Sequence, residues 1–590
     1  MDQSSLRNLF EVNNARTQSI EEVVHTFLPL DSYWRLLNGK NHILLGSRGS
    51  GKTAVLRMLA HDHLSKFSHR TATDITTRRA FIGTFVPMRA DWIGTLKNKP
   101  WDSSTEESFR WRLNLSCCVA FTDTVESCLN VYMSGSERAF AERDLARLLG
   151  KSWFTDNRRS INTITDLRSV LEDVEWAKQV SCLSQLSRPE RNSLGGSTFD
   201  LELFSPIRRG IQVLKRVIKF PQDAVWALAL DELEFLEPAH HRLINTYLRA
   251  KSDLAFKLST MPYFHHTPQT NSDQPIVSGN DFDYVYLDND PAMRRTDRAG
   301  WIDWADGVLK RRVAFVERST AADFSLSRVL GTISPLIDDK PADWGQDSLM
   351  MNLLRKYGSQ QTISRAQRLS AERFKNEISR KMHGMLLLRE QASVQKGHSV
   401  HELYSGPRIF ALCSDANPRQ LIRLFNELTL TRSSENVLDI RSSVRRSQQS
   451  KYVISFSGDA LRSASIEEGI GGSLYDFIKR LMEYFKSRFY EQRLSTDYYY
   501  AISLGPDTTD EQWRLIQYAV GLGFMFPKVS FSQPDELPER CFGEFNMAYR
   551  LAPKFGLLPR KGKSVSLSVA IRGFQVPTNT QFTLPLTGEL

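Results

Sequence analysis

The sequence predicts an α/β fold around a parallel sheet, and three observations carry that prediction. A short apolar strand, Asn41–Leu45, runs into the glycine-rich segment Gly46–Thr53 and then into a helix whose Val55, Leu56, Met58, Leu59 and Leu64 recur at helical spacing. A fully apolar run, Ala224–Leu230, ends on Asp231 and Glu232; hydrophobicity without alternation suits a strand covered on both faces. Strand and helix patterns alternate along this part of the chain, the order that yields a parallel sheet with helices packed on it.

The remaining elements follow in order. Ala80–Val86 reads as the second strand. From about 101 to 205 the pattern is helical and irregular. Lys52 and Asp231 lie 179 positions apart, too far for one strand–helix–strand step, so this stretch is expected to be an inserted helical subdomain. Pro206–Phe220 reads as a basic helix, His241–Arg249 as another, and Leu254–Ser259 and Phe282–Leu287 as strands. Residues 1–300 thus form an α/β core. Residues 301–435 read as a helical unit, with helices at Trp301–Phe315, Ala371–Gln391 and Pro418–Leu428. The polar stretch Arg441–Lys451 reads as a linker inside a third unit, 436–590. That unit carries helices at Ser473–Arg493 and Asp510–Leu522 and strand-like alternation at Phe545–Leu551 and Ser564–Ile571.

Composition bounds the function. Of 590 residues, 77 are Lys or Arg and 67 Asp or Glu, a net +10, and aromatics make up 10%. Such a chain has the apolar content for packed cores, which excludes wholesale disorder. The mild basicity is compatible with nucleic-acid binding without requiring it. No apolar run approaches the ~20 residues of a membrane span, and the first residues lack the apolar centre of a signal peptide. A cytoplasmic protein with no membrane partner is expected. The six cysteines form no C-x-x-C pair and are expected to be buried free thiols. The histidine pairs His61/His63, His240/His241 and His265/His266 are expected on the surface or in loops, and no structural metal is expected.

Gly46-Ser47-Arg48-Gly49-Ser50-Gly51-Lys52-Thr53 matches G-x-x-x-x-G-K-[ST]. Glycines let the backbone curl so that amides point inward at phosphate oxygens, and the following helix adds its N-terminal dipole. Lys52 would reach the β- and γ-phosphates of ATP, and Thr53 would place its hydroxyl on Mg²⁺. The second half of such a site is a carboxylate at the end of a buried strand. Asp231 would hold the metal, and Glu232 would orient or deprotonate the attacking water. A pair of acids capping the next helix is the plainer reading of Asp231-Glu232.

GSRGSGKT, ALALDELEFLEP, LAFKLST and ANPRQLIRLFNEL together resemble an AAA+ ATPase of the origin-recognition-like clade, especially its bacterial members from anti-phage and conflict systems. The resemblance spans roughly residues 20–430. It implies a P-loop NTPase sheet with a helical lid and a winged-helix-like C-terminal domain. It further implies a polar residue sensing the γ-phosphate at the end of the fourth strand, here Ser259 or Thr260, and a lid arginine, here Arg419. The family also uses an arginine acting on the neighbouring subunit's nucleotide, between the fourth and fifth strands. Met261–Asp290 contains no arginine; Arg249, Arg294 and Arg295 are the nearest substitutes. Without such a group, hydrolysis is expected to be slow or partner-stimulated.

Between Glu544 and Glu589 there is no acidic residue, while Arg550, Lys554, Arg560, Lys561, Lys563 and Arg572 are basic. Tyr549–Lys563 reads as part of a wing, with Arg550, Lys554, Arg560, Lys561 and Lys563 contacting nucleic acid, duplex DNA first. Tyr498-Tyr499-Tyr500 suits either base stacking or a strand. The leading functional reading is an ATP-hydrolysing switch in a bacterial defence module, acting as a homo-oligomer with a separately encoded effector. Replication initiation or helicase loading, transposition regulation, and a non-hydrolysing scaffold are the alternatives.

Overall fold

The computed structural model describes residues 17–88, 90–96, 99–154, 160–183, 198–250, 253–289, 299–316, 323–338, 348–394, 402–430, 443–529 and 535–572. They fall into two compact units, one within Asn13–Gly46 and Gly51–Pro291, the other within Ser47–Ser50 and Ala292–Leu590.

The first unit is built on a five-stranded sheet of β1 (His42–Leu45), β2 (Phe81–Pro87), β3 (Val225–Asp231), β4 (Leu254–Thr260) and β5 (Asp283–Tyr286). Its order is β2-β3-β4-β1-β5 and every pairing is parallel. The uninterrupted apolar run of β3 has its reason here: it is central and almost wholly buried. Helix α1 (Lys52–Leu59) packs Val55, Leu56 and Leu59 in one cluster with Ala227, Ala229 and Ala255 of the sheet, small residues that let a helix lie close. Register places the site: Leu45 pairs with Thr260, Leu230 with Leu258 and Pro87 with Asp231. The carboxyl ends of β1, β3 and β4 therefore share one edge, where open α/β sheets bind ligands.

The insertion is helical as expected, with α2 (Ser103–Tyr132), α3 (Gly135–Trp153) and α4 (Ile164–Leu183). Buried Asn114 of α2 donates to the carbonyl of Phe199 at 3.0 Å and accepts from the amide of Phe204 at 2.7 Å. That ties the insertion to the start of α5 (Ser205–Val217), the basic helix. A further helix, α6 (Pro238–Arg249), precedes β4. The expectation of surface or loop histidines fails for two of the three pairs, since His61, His63, His240 and His241 are buried, and holds for His265 and His266, which lie in a loop with His266 exposed. His61 lies 2.8 Å from both Ser127 Oγ and Tyr132 Oη, and burial lowers its pKa to about 4, so it serves as a neutral core residue. Cys117, Cys118, Cys128 and Cys413 are buried free thiols, but Cys541 is exposed.

The second unit opens with α7 (Ala299–Val316). The expected helix from Ala371 begins at Ala371–Phe374, passes through a π turn at Lys375–Ser379 and continues as α8 (Arg380–Val394). After α9 (Pro418–Leu430) the expected linker is instead largely a helix, α10 (Arg446–Ser463); its Val453, Phe456, Ala460 and Leu461 are buried and hold the polar first turn in helical form. Next come α11 (Gly471–Glu491), β6 (Tyr499–Ser503), α12 (Asp510–Gly521), β7 (Met525–Pro527), β8 (Glu544–Met547) and β9 (Lys563–Ser566). The sheet order is β7-β8-β6-β9, with β6–β8 and β7–β8 antiparallel and β6–β9 parallel.

Two strand expectations shrink. Phe545–Leu551 is strand only to Met547 and then turns 3₁₀ at Tyr549–Leu551; Ser564–Ile571 turns helical at Leu567. The antiparallel pair β7–β8 precedes Tyr549–Lys563, the stretch expected to form part of a wing.

Candidate nucleotide site

Gly49 and Gly51 take φ of +89° and +98°, backbone that residues with a Cβ rarely adopt. Gly51 is the N-cap of α1, so the loop leads directly into a helix N-terminus. The Gly46 amide donates to the Thr260 carbonyl at 3.3 Å, which fixes the loop's start to the end of β4. Lys52 is buried; its ammonium donates to the Gly46 carbonyl at 2.8 Å and lies 3.9 Å from Glu234 Oε1.

Asp231 is fully buried at the end of β3. Thr53 Oγ1 donates to its Oδ2 at 2.7 Å and Ser259 Oγ to its Oδ1 at 2.5 Å. Ser259 also accepts from the Glu232 amide at 3.0 Å. Glu232 itself sits at φ +63°, a left-handed conformation costing of order 1 kcal/mol or more in a residue with a side chain. Ser259 thus orients both acids. Its neighbour Thr260 is buried, and its Oγ1 has no hydrogen-bond partner among the described residues. The two hydroxyls differ because consecutive strand residues face opposite sides: that of Ser259 is taken up by the acids, and that of Thr260 is not.

The loop tip, Ser47–Ser50, groups with the second unit and its contacts are made there. Asn417 Nδ2 donates to the Arg48 carbonyl at 3.1 Å, and the Arg48 amide donates to the Gly521 carbonyl at 2.8 Å. The Arg48 guanidinium forks onto Glu467 at 3.0 and 3.2 Å. A Cβ on Gly49 would come within 2.9 Å of both Arg419 Cβ and Asn417 Oδ1, so glycine is also sterically required. Arg419 is half-buried beside the tip; burial, and then the nearby charge of Arg48, push its pKa down.

These donors fit a nucleotide triphosphate with its divalent cation. The Lys52 ammonium and the loop amides would suit phosphate charge, Thr53 and Asp231 could offer a hydroxyl and a carboxylate to a metal, and the Thr260 hydroxyl is a buried donor without an acceptor among the described residues. Glu234 and Asn417 escaped the motif reading. Their signals were the third acid of DELE and the residue before the Pro-Arg pair.

The expected nucleic-acid cations fare differently. Arg550 is buried, pairs with Asp415 at 2.9 Å, donates to the Leu522 carbonyl at 3.2 Å and lies 5.1 Å from the Phe524 ring centre. Arg550 is therefore a core residue and not a phosphate contact. Burial outweighs the pull of Arg550 and raises the Asp415 pKa to about 6. Arg560 also turns inward, donating to the Lys381 carbonyl at 2.6 Å and lying 4.9 Å over the Tyr498 ring. Lys554, Lys561 and Lys563 are exposed, Lys563 pairing with Asp497 at 2.8 Å. Tyr498 and Tyr500 are buried, their hydroxyls on the carbonyls of Leu558 and Ala548, which removes them from base stacking. Of the substitutes for the missing trans-acting arginine, Arg249 donates to the Pro275 carbonyl, and Arg294 and Arg295 lie outside the described residues.

No helix among the described residues is long and apolar enough to cross a membrane. No curated protein matches the chain. A family model described as ORC-CDC6-like matches residues 8–567. With the all-parallel sheet, the glycine loop and the acids at the end of β3, that match identifies the chain as an AAA+ ATPase of the ORC-CDC6-like family.

Proposed function

We propose that this chain is an ATP-driven switch that acts on nucleic acid. The observation that carries the reading is buried Asp231, joined at one oxygen to Thr53 and at the other to Ser259, beside the unpartnered hydroxyl of Thr260. Mg²⁺, when bound, would neutralise phosphate charge, with Thr53 and Asp231 holding it. Lys52 would leave the Gly46 carbonyl for the phosphates, and the amides of Gly46–Thr53 would line them. Glu232, held by its amide on Ser259, would take a proton from the attacking water. Thr260 would donate to the γ-phosphate and Arg419 would bind the same group. A ligand that contacts one state better than the other shifts the balance between them, which is all a switch requires.

The defence setting, a homo-oligomeric assembly and an effector encoded apart rest on the resemblance of the motifs. Replication initiation shares the same chemistry. Phosphate release from ATP, measured with and without a duplex, tests the proposal. Turnover that needs Glu232 and rises with DNA supports it; a chain that neither binds nor hydrolyses ATP sinks it.

A further inference from the structure

We infer that the second unit carries a binding surface for the phosphate backbone of duplex DNA, formed jointly by the π-turned helix with the start of α8 that continues it and the loop Pro559–Lys563. This deepens the nucleic-acid reading above and rests on it.

The loop is held against α8 by Arg560, which donates to the Lys381 carbonyl at 2.6 Å and to Met385 Sδ at 3.1 Å. Beside them, a Cβ on Gly384 would come within 2.5 Å of the Leu336 carbonyl oxygen and 2.8 Å of Leu558 Cδ2. Arg560, expected to contact nucleic acid, is thus an anchor, and its chain neighbour Lys561 is exposed.

Along the chain leading into that point the charge is one-sided. Arg368, Arg373, Lys375, Arg380, Lys381 and Lys561 are all exposed, and none has a carboxylate within ion-pair distance among the described residues. Glu377 is already matched to Arg365, which leaves exposed Glu372 as the acid of the run. The π turn at Lys375–Ser379 has its own packing logic. It keeps Phe374, Ile378 and Ser379 buried, and the extra residue in the turn shifts the phase of the cations on either side. Of the rings next to the loop, Tyr498 and Tyr500 are buried, and half-buried Tyr499, which pairs with Lys563 in the sheet, has the Arg488 guanidinium 3.8 Å from its ring centre. Cations beside rings that are buried or already covered suit a duplex, whose bases are already stacked, better than a single strand.

The test is fluorescence anisotropy of a random-sequence 30-base-pair duplex over 50–200 mM salt. Neutralising Lys375, Arg380, Lys381 and Lys561 together to Gln should lower the salt slope by about 3 to 4 and weaken binding more than tenfold at 100 mM. Lys561→Gln alone should lower the slope by about 1 and keeps the test open if the quadruple variant folds poorly. A control neutralising exposed Arg209 and Arg216 on α5 and Lys219 just after it should leave binding within about twofold. Wild-type binding with an unchanged slope in both neutralised proteins overturns the surface alone. So does a slope that flattens only in the α5 control. A wild-type protein with no salt-dependent duplex binding overturns the nucleic-acid reading itself, and the surface with it.

Discussion

Lys52 and Arg550 are both buried cations in polar surroundings, 7% and 2% exposed. The company they keep separates them. Lys52 rests on a backbone carbonyl of its own loop, with Glu234 at 3.9 Å. Arg550 meets a buried carboxylate at 2.9 Å, a carbonyl and an aromatic face, while the amide of Tyr549 donates to the same Asp415 at 2.6 Å. The first arrangement can exchange a carbonyl for a phosphate at little cost. The second cannot release its cation without stranding a charge in the core. A buried cation is a candidate for chemistry when its partners can be replaced, and a structural member when they cannot.

The sharpest way to break this contrast is to remove each cation. Lys52→Ala should abolish nucleotide binding, read by titration with a fluorescent ATP analogue, while its melting temperature without nucleotide stays near wild type. Glu232→Gln should keep binding and lower turnover by about 10²–10⁴, the usual worth of a general base. Either variant hydrolysing ATP at the wild-type rate removes the assignment of this site.

Arg550→Ala should do the reverse: little direct effect on nucleotide affinity, but a loss of about 3–5 kcal/mol in stability, because Asp415 is left buried and unpaired. Lys554→Ala, four residues on and exposed, should change stability by no more than about 0.5 kcal/mol. Urea denaturation of the two variants side by side decides the point; equal midpoints would mean that the Arg550–Asp415 pair is not the keystone described here.

The same contrast explains what was legible in the sequence. The glycine loop and the acid-tipped β3 could be read because their geometry is encoded locally: consecutive residues build the curl, the helix start and the strand end; Arg419 was named through the family resemblance alone. The fate of Arg550 was set by Asp415, 135 positions away, and that of His61 by Ser127 and Tyr132. Nothing in the neighbouring sequence announces such partners. The supposed linker was misread for a related reason. Arg446 and Gln448 at its start are exposed on the first turn of α10, Gln449 is buried and donates to the carbonyls of Leu330 and Val444, and the apolar face that holds the helix lies downstream, at Val453, Phe456 and Ala460.

A third buried cation sharpens the comparison. Lys257, fully buried in β4, donates to the carbonyls of Asn38 and Lys40 at 2.9 and 2.5 Å and to His42 Nδ1 at 2.9 Å. Burial lowers its pKa from 10.5 to about 7, with the charge of Asp283 opposing. Between those values the unfolded chain binds the proton more tightly than the folded one. Stability should therefore rise as pH increases from about 7 towards 10, with a slope of at most one proton from this group. Lys257→Met should remove that slope in denaturation curves at pH 7, 8 and 9; a slope that survives belongs to another group.

The smallest expected effect tests the neutral side of the argument. Thr260 buries a hydroxyl without a partner, which costs about 1–3 kcal/mol. Ser259, one residue earlier, buries a hydroxyl that is fully used, donating to Asp231 and accepting from Glu232. If Thr260 is held ready for a phosphate, Thr260→Val should hold or gain stability while turnover falls by about tenfold, the worth of one hydrogen bond made late in the reaction. Ser259→Ala should lower stability and turnover together, since it leaves Asp231 and the Glu232 amide each short of a partner. Opposite signs for stability in two adjacent hydroxyls are hard to obtain from packing alone. Matching losses in both variants would reduce Thr260 to an ordinary core residue and leave the γ-phosphate to be sensed elsewhere.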